Sequence, residues 1–405
     1  MNYELFIAKR IIAAKEYKSS ISSPIIKIAI IAIALGMIIM MISIATGIGL
    51  QQKIREKLSG FNGHIQITNF DNNNSEITLE PISKNQDFYP NFTNVSGISN
   101  VQVFATKAGI IRTETDFEGI ILKGVSDDYN WSFFKEYLVE GNLPLVSDTI
   151  SMNVLISRDI SNKLLINLND KINVYFIKQD QNKRPNTRVF VVSGIYDTGF
   201  QDFDGNFIIG DLAHIQKMNK WSNEEVGGFE IILNDFNELG EKSNEIYTST
   251  SSTLNSMNII ERYPSIFEWI QLFDNNIMLI IIIMVFVAGI NMITALLVLI
   301  LERTQMIGLL KALGSNSTSI RKVFLYNAAY IILKGLFWGN LIGISLLLFQ
   351  QYTGVISLNP ETYYVREVPV YLDFGYILLL NIGTLSLCLL MLIIPTLIIS
   401  KVNPA

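Results

Sequence analysis

The sequence predicts an α-helical membrane protein with four transmembrane helices and a large α+β domain between helices one and two. Three observations carry this. Four runs are long and apolar enough to cross a bilayer, which takes roughly 20 residues at ~1.5 Å each. Of the 405 residues 49% are hydrophobic, and the mean hydropathy is +0.34, more than one soluble core needs. Finally, the long segment 51–275 between the first two runs is polar and alternates like strands, with short helical stretches between them.

The elements follow in order. Residues 1–23 contain "YELFIAKRIIAAKEYKSS", in which Leu5 and Ile12 oppose Lys9, Arg10, Lys15 and Lys18. That pattern suits a helix lying in the membrane interface. Helix one, 24–50, has only Lys27 near its start; it is longer than a signal-peptide core and no small-x-small cleavage pattern follows it, so it reads as a retained anchor. In 51–275, "QQKIREKLSGFNG" predicts a helical continuation stopped by Gly60 and Gly63. "HIQITNF", "VQVFATKAGIIRT", "FEGIILKGV", "NVLIS" and "GGFEIILND" predict strands, and "KINVYFIK" with "TRVFVVSGIY" predicts a hairpin. An insert subdomain is expected at about 126–196. Helix two spans 276–301, the basic connector 302–324, helix three 325–350, a loop 351–373, helix four 374–400, and the tail 401–405.

Short-loop charge sets the orientation. Lys and Arg concentrate in the N-terminal segment, in 302–324 and at Lys401, so these regions are expected inside and 51–275 outside. The exterior segment carries a net −11 and the remainder +6, and an acidic exterior argues against nucleic acid. Cys388, the single cysteine, lies in helix four, so the exterior domain is expected to fold without a disulfide. With His64 and His214 the only histidines, a metal centre or a histidine-based catalytic set is not expected. No phosphate-cradling G-x-x-x-x-G-K-[ST] occurs, so the chain is not predicted to be an enzyme, and any ATP-driven work would draw on a partner.

The connector "LERTQMIGLLKALGSNSTSIRKVF" is the most informative stretch. Arg303–Leu313 predicts a short amphipathic helix with Ile307, Leu309, Leu310 and Leu313 on its apolar side. Gly314 is its predicted stop, and Ser315 or Ser317 the predicted cap of the next helix. Two readings stand: a lever gripped by a soluble subunit, or a connector resting on lipid. In helix three, Gly335, Gly339 and Gly343 form a ridge for close helix packing, within the subunit or between two subunits. Lys334, ~18 Å along the helix from Arg321 and Lys322, is expected near mid-membrane with no acidic residue in any span to pair with it.

"ERTQMIGLLKALGS" resembles the segment between spans two and three of ABC permeases of the FtsX/MacB superfamily. "GIGLQQKIREKLSGFNGHIQI", "VFVVSGIYDTGFQDFD", "VFVAGINMITALLVLILERTQMIGLLKALGS" and "LNPETYYVREVPV" together resemble LolC/LolE-type permeases of lipoprotein-releasing systems. The likeness extends over nearly the whole chain. It implies a MacB-like periplasmic domain, a bacterial inner-membrane location and cytoplasmic termini. It implies two permeases, either two copies or a copy and a paralogue, and a cytoplasmic ATPase dimer that binds the ATP and Mg. That ATPase would grip the coupling helix at Glu302, Arg303, Met306, Ile307, Leu310, Lys311 and Gly314. Because the chain starts close before its first span, the ATPase is expected on a separate chain. The likeness also implies an acylated lipoprotein in a cavity lined by spans one and two, here by Met37, Met40, Met41, Met284, Phe286 and Met292. Ordinary lipid-facing or helix-packing methionine is the competing reading of these residues. A periplasmic lipoprotein carrier would meet the loop at Lys183, Arg184, Pro185 and Arg188, for which a solvated hairpin tip is the competing reading. The family usually continues beyond "NPA" into a cytoplasmic tail. The alternatives are an FtsX-like mechanotransmitter, which relays ATP hydrolysis to a periplasmic hydrolase, and a MacB-like efflux permease.

Overall fold

The computed structural model describes residues 3–13, 22–72, 75–146, 149–176 and 185–397. They form two compact units. The first comprises Met1–Gln51, Trp269–Ser357 and Glu367–Ala405, and the second Gln52–Glu268 and Leu358–Arg366.

The first unit is helical, built from α1 (Tyr3–Ala13), α2 (Ser22–Asn62) up to Gln51, α3 (Pro264–Glu302) from Trp269, α4 (Thr304–Ala312), α5 (Ser317–Thr353) and α6 (Phe374–Thr396). Among the described residues, α2, α3, α5 and α6 are the helices long and apolar enough to span a membrane. They share a core that includes Met37, Met292, Phe324, Leu336, Cys388 and Leu392. Three glycines fix how α5 lies on α2. A Cβ added at Gly335 would sit 2.7 Å from Ile33 Cβ, and one at Gly339 2.7 Å from Met37 Cβ and 3.0 Å from the Ala34 carbonyl. One at Gly343 would come within 3.3 Å of Met41 Sδ. The two helices therefore run parallel in contact, and the ridge works within one chain. On its other side α5 is tied to α6 by reciprocal amide hydrogen bonds. Asn340 Nδ2 donates to Asn381 Oδ1 at 2.7 Å, and Asn381 Nδ2 to Asn340 Oδ1 at 3.0 Å. Away from water such a closed pair satisfies polar groups that would otherwise be orphaned.

The second unit holds a ten-stranded mixed sheet. Its strands are β1 (Ile65–Asn69), β3 (Ile98–Arg112), β4 (Phe117–Val125), β5 (Leu138–Gly141), β6 (Asn153–Ser157), β7 (Lys171–Phe176), β8 (Asn186–Tyr196), β9 (Phe207–Asp211), β11 (Gly228–Leu233) and β12 (Leu254–Asn258); β2 (Ile82–Ser83) and β10 (Glu225–Val226) pair separately. The order β12-β1-β11-β3 is an open antiparallel edge. The fifteen-residue β3 then enters a second arrangement, because its C-terminal half pairs with both β4 and β7. The pairings β3-β4-β9-β6-β8-β7 return to β3 and close a six-stranded ring. Residues 126–196, expected as an insert subdomain, supply β5 to β8. They pair directly with β3 and β9 and so complete the ring. The predicted hairpin is β7–β8, with Val174, Phe176, Phe190 and Val192 fully buried.

One helix end differs from expectation. α2 runs through Gly60 and stops at Asn62, where Gly63 takes a left-handed φ of +72°. The Phe133 ring fills the space that a side chain at position 60 would need, so Gly60 serves close approach and not termination.

Candidate functional site

The helix between the second and third spans is built as its residues dictate. α4 ends in a Schellman turn: Ser315 N–H donates to the Leu310 carbonyl and Gly314 N–H to the Lys311 carbonyl, both at 2.9 Å, with Gly314 at φ +89°. The cap of α5 is Asn316, whose side chain accepts from Thr318 N, where Ser315 or Ser317 was expected; its β-region backbone places the amide oxygen over the first turn. Ile307 is fully buried, and Met306 and Leu310 pack against the span core. Leu309 and Leu313, expected on the same apolar side, instead stand 62% and 75% exposed. Glu302 and Gly314 are exposed, while Arg303 and Lys311 are half-buried. α4 thus holds the bundle with one edge and presents two leucines outward with the other. α1 is placed by the same economy. Ala8 and Ile11 bury against Val323 of α5, with Met306 packed beside them, so α1 is braced on protein as well as carrying exposed Lys9 and Arg10.

The residues expected to line a cavity separate by environment. Met37, Met40, Met41 and Met292 are at most 2% exposed and belong to the chain's own interhelical core. In this chain all four pack in the interhelical core, and Met37 and Met41 meet the glycine ridge of α5 directly. Met284 is half-buried against that core, and Phe286 is 58% exposed. Gly335 meets the Ile30–Ile33 turn of α2, so Lys334 lies about one turn beyond the level of Lys27. The early part of α5, where Val323 sits, flanks α1 instead. The Lys334 ammonium rests 4.6 Å from the Tyr330 ring centroid.

In the second unit, the end of α2 is held by a polar cluster that sequence reasoning missed. Lys123 and Glu230, on β4 and β11, form an ion pair of 2.7 Å at 2% and 0% side-chain exposure. Gln66 and Gln102 donate to the two Glu230 oxygens at 3.1 and 2.9 Å. Lys123 also donates to the Phe61 carbonyl near the end of α2 and lies over the Phe61 ring. Burial pulls the Lys123 ammonium below its usual range, with Glu230 opposing the shift. The Phe61 ring stacks on Phe203 at 4.0 Å, and Asn62 donates to the Tyr263 hydroxyl at 2.9 Å. The only sequence signal was one charge in each of two otherwise apolar runs, "GIILKGV" and "GGFEIIL".

A second joint in this unit involves "YDTGFQDFD" and residues 358–366. Asp197, 7% exposed, receives Arg366 at 2.6 Å and Arg158 at 3.4 Å. Tyr364 stacks on Phe200 at 4.8 Å, and its carbonyl accepts from Lys57 Nζ at 3.0 Å. Asp204 accepts from Thr198 N, Thr198 Oγ1 and Gly199 N, and burial pushes its carboxyl up to about 6. Of the loop expected to meet a carrier, Lys183 and Arg184 lie outside the described residues. Pro185 is exposed, and Arg188 belongs to β8, paired with Val174, rather than to the loop. His214 bonds the Ser151 carbonyl at 2.8 Å, and His64 accepts from Leu233 N–H at 3.2 Å; both are bound into the fold. Among the described residues, no group of three or more His, Cys, Asp and Glu could hold a metal ion.

Among known proteins, the MacB-like periplasmic core domain family matches residues 28–246, more than half of the chain, and the FtsX-like permease C-terminal family matches 278–404. Lipoprotein-releasing system transmembrane protein LolC of Haemophilus influenzae is 23% identical, over 100% of this chain and 98% of that protein. LolE of the same organism is 20% identical, over 100% and 99%, and LolC of Neisseria meningitidis 21%, over 99% and 98%. The periplasmic region of MacB from Actinobacillus actinomycetemcomitans is 18% identical, with a TM-score of 0.34 over 50% of this chain and 91% of that one.

Proposed function

The chain belongs to the MacB-like periplasmic core domain family and carries an FtsX-like permease region toward its C-terminus; on that premise we propose that it is the membrane subunit of an ABC-type lipoprotein-releasing system. The observation that carries this reading is end-to-end similarity to proteins named for that system. In this reading a separate cytoplasmic ATPase dimer binds ATP and Mg, and a second permease, copy or paralogue, completes the membrane part. Both termini and α4 face the cytoplasm of a bacterial inner membrane, and the second unit faces the periplasm.

Extraction of an acylated protein has to be driven. At ~0.8 kcal/mol per buried CH₂, one sixteen-carbon chain is held in lipid by about 12 kcal/mol. The exposed Leu309 and Leu313 offer an ATPase an apolar grip, and buried Ile307 passes its displacement to the span core. α2 is one continuous helix from Ser22 to Asn62. The ligand class is an acylated lipoprotein, and its release is toward a periplasmic carrier.

Mass spectrometry of what co-purifies with the tagged chain from its native membrane in mild detergent tests this. A P-loop ATPase together with acylated lipoproteins is the expected result. An ATPase accompanied by a peptidoglycan hydrolase and no lipoprotein would overturn it in favour of a mechanotransmitter.

A further inference from the structure

α2 and α5 leave an open groove of about 400 Å³ on the outside of the span bundle. Ile31, Leu35 and Ile38 line it from α2, Trp338 and Ile342 line it from α5, and Lys27 stands at one end. From Lys27 to Ile38 the groove runs roughly 16 Å at ~1.5 Å per residue, about one leaflet of a ~30 Å hydrocarbon core. Lys334 precedes Trp338 by one turn on the same helix and so lies on the groove's face, at the Lys27 end. Both lysines are exposed, and neither α5 nor α2 before Glu56 contains a carboxylate to neutralise them.

We propose that this groove binds one anionic phospholipid of the surrounding bilayer. Its phosphate sits between Lys27 and Lys334 and one acyl chain lies along Ile31, Leu35 and Trp338. Two cations staggered by a turn at the head end of an apolar groove one leaflet deep match that ligand in charge and in length. An ordinary lipid-exposed helix face offers the apolar part alone. The occupant is a bilayer lipid and not an acylated protein, so the inference stands apart from the transport reading above.

Trp338 is a built-in reporter. The full chain is reconstituted in nanodiscs of phosphatidylcholine containing a minor fraction of either dibrominated phosphatidylglycerol or dibrominated phosphatidylcholine. Bromine quenches indole only at contact, and the Trp338→Phe variant supplies the signal of the other three tryptophans to subtract. The phosphatidylglycerol is expected to quench Trp338 at lower mole fraction, with a preference of about fivefold per lysine. Lys27→Gln and Lys334→Gln should each reduce that preference, and the double variant should abolish it while phosphatidylcholine quenching stays unchanged. Equal quenching by the two lipids would overturn the proposal and leave only non-specific lipid contact. Quenching by neither would overturn it as well, by showing that another protein surface covers the groove.

Discussion

Glu230→Gln should destabilise the second unit severely, and the structure says why. Glu230 is wholly buried and pairs with a lysine that is itself only 2% exposed, at 2.7 Å. Neutralising the carboxylate leaves the Lys123 ammonium with the Phe61 carbonyl and a weaker amide oxygen, far from water. Breaking a buried pair from one side costs about 3–5 kcal/mol. At roughly 2–4 °C per kcal/mol for a unit of this size, the unfolding midpoint should fall by about 10 °C. Lys123→Met should do similar harm, since Glu230 then keeps only the Gln66 and Gln102 amides. The double variant Lys123→Met/Glu230→Gln buries no charge, and the amide introduced at position 230 can still bond both glutamines. Its midpoint should return to within about 3 °C of the parent, because uncharged replacement of a buried pair is often close to neutral. Thermal unfolding of the full chain in detergent, followed by tryptophan fluorescence, reads all four proteins. If the double variant loses the sum of the two single losses, the pair is not coupled and the reasoning fails.

Four further outcomes are expected. Leu309→Asp with Leu313→Asp should leave the chain folded, because both side chains are exposed, yet lower recovery of the co-purified ATPase at least about tenfold (~1.4 kcal/mol); undiminished recovery would remove α4 as the grip. Gly339→Ala drives a methyl against the Met37 Cβ and the Ala34 carbonyl and should cost about 1–3 kcal/mol in detergent unfolding. Gly343→Ala meets the adaptable Met41 thioether and, at an ordinary 3.7 Å, the Ile38 Cα, and should cost less, so the reverse ranking would contradict the register of α2 on α5. Burial lowers the His64 imidazole to about 4, so the unfolded chain takes up a proton first as pH falls; His64 should then weaken the fold from pH 6.5 down to about 4, worth up to ~3 kcal/mol. Asp204, raised to about 6, acts in the opposite sense between pH 4 and 6, so the His64 contribution is read as the difference between the parent and His64→Asn pH profiles, which should show no such slope if the imidazole stays solvated. Arg366→Met removes the 2.6 Å contact to Asp197 and should speed proteolysis within 358–366 while costing only about 1 kcal/mol, since Arg366 is half exposed; an unchanged cleavage rate would show that this contact does not hold the segment.

The sequence by itself determined whatever depends on neighbours along the chain. Apolar length marks a span wherever it occurs, so all four span helices were legible. Alternation marked β1, and apolar runs bounded by polar or turn residues marked β3, β4, β7, β8 and β11. The stop at Gly314 was legible because a left-handed turn favours glycine. Rotation and depth were not. A helix that is apolar on every side carries no period to say which face turns inward, so Met37 and Phe286 read alike although one is buried and the other exposed. Contact between α5 and α2, through three glycines that let the backbones meet, turned Met37 inward, and the same contact set Lys334 one turn beyond Lys27. The Lys123–Glu230 pair joins positions 107 residues apart, and the closed ring depends on β3 pairing along both edges. Such pairings rest on shape and on desolvated charge, which become defined only when distant segments exclude water together.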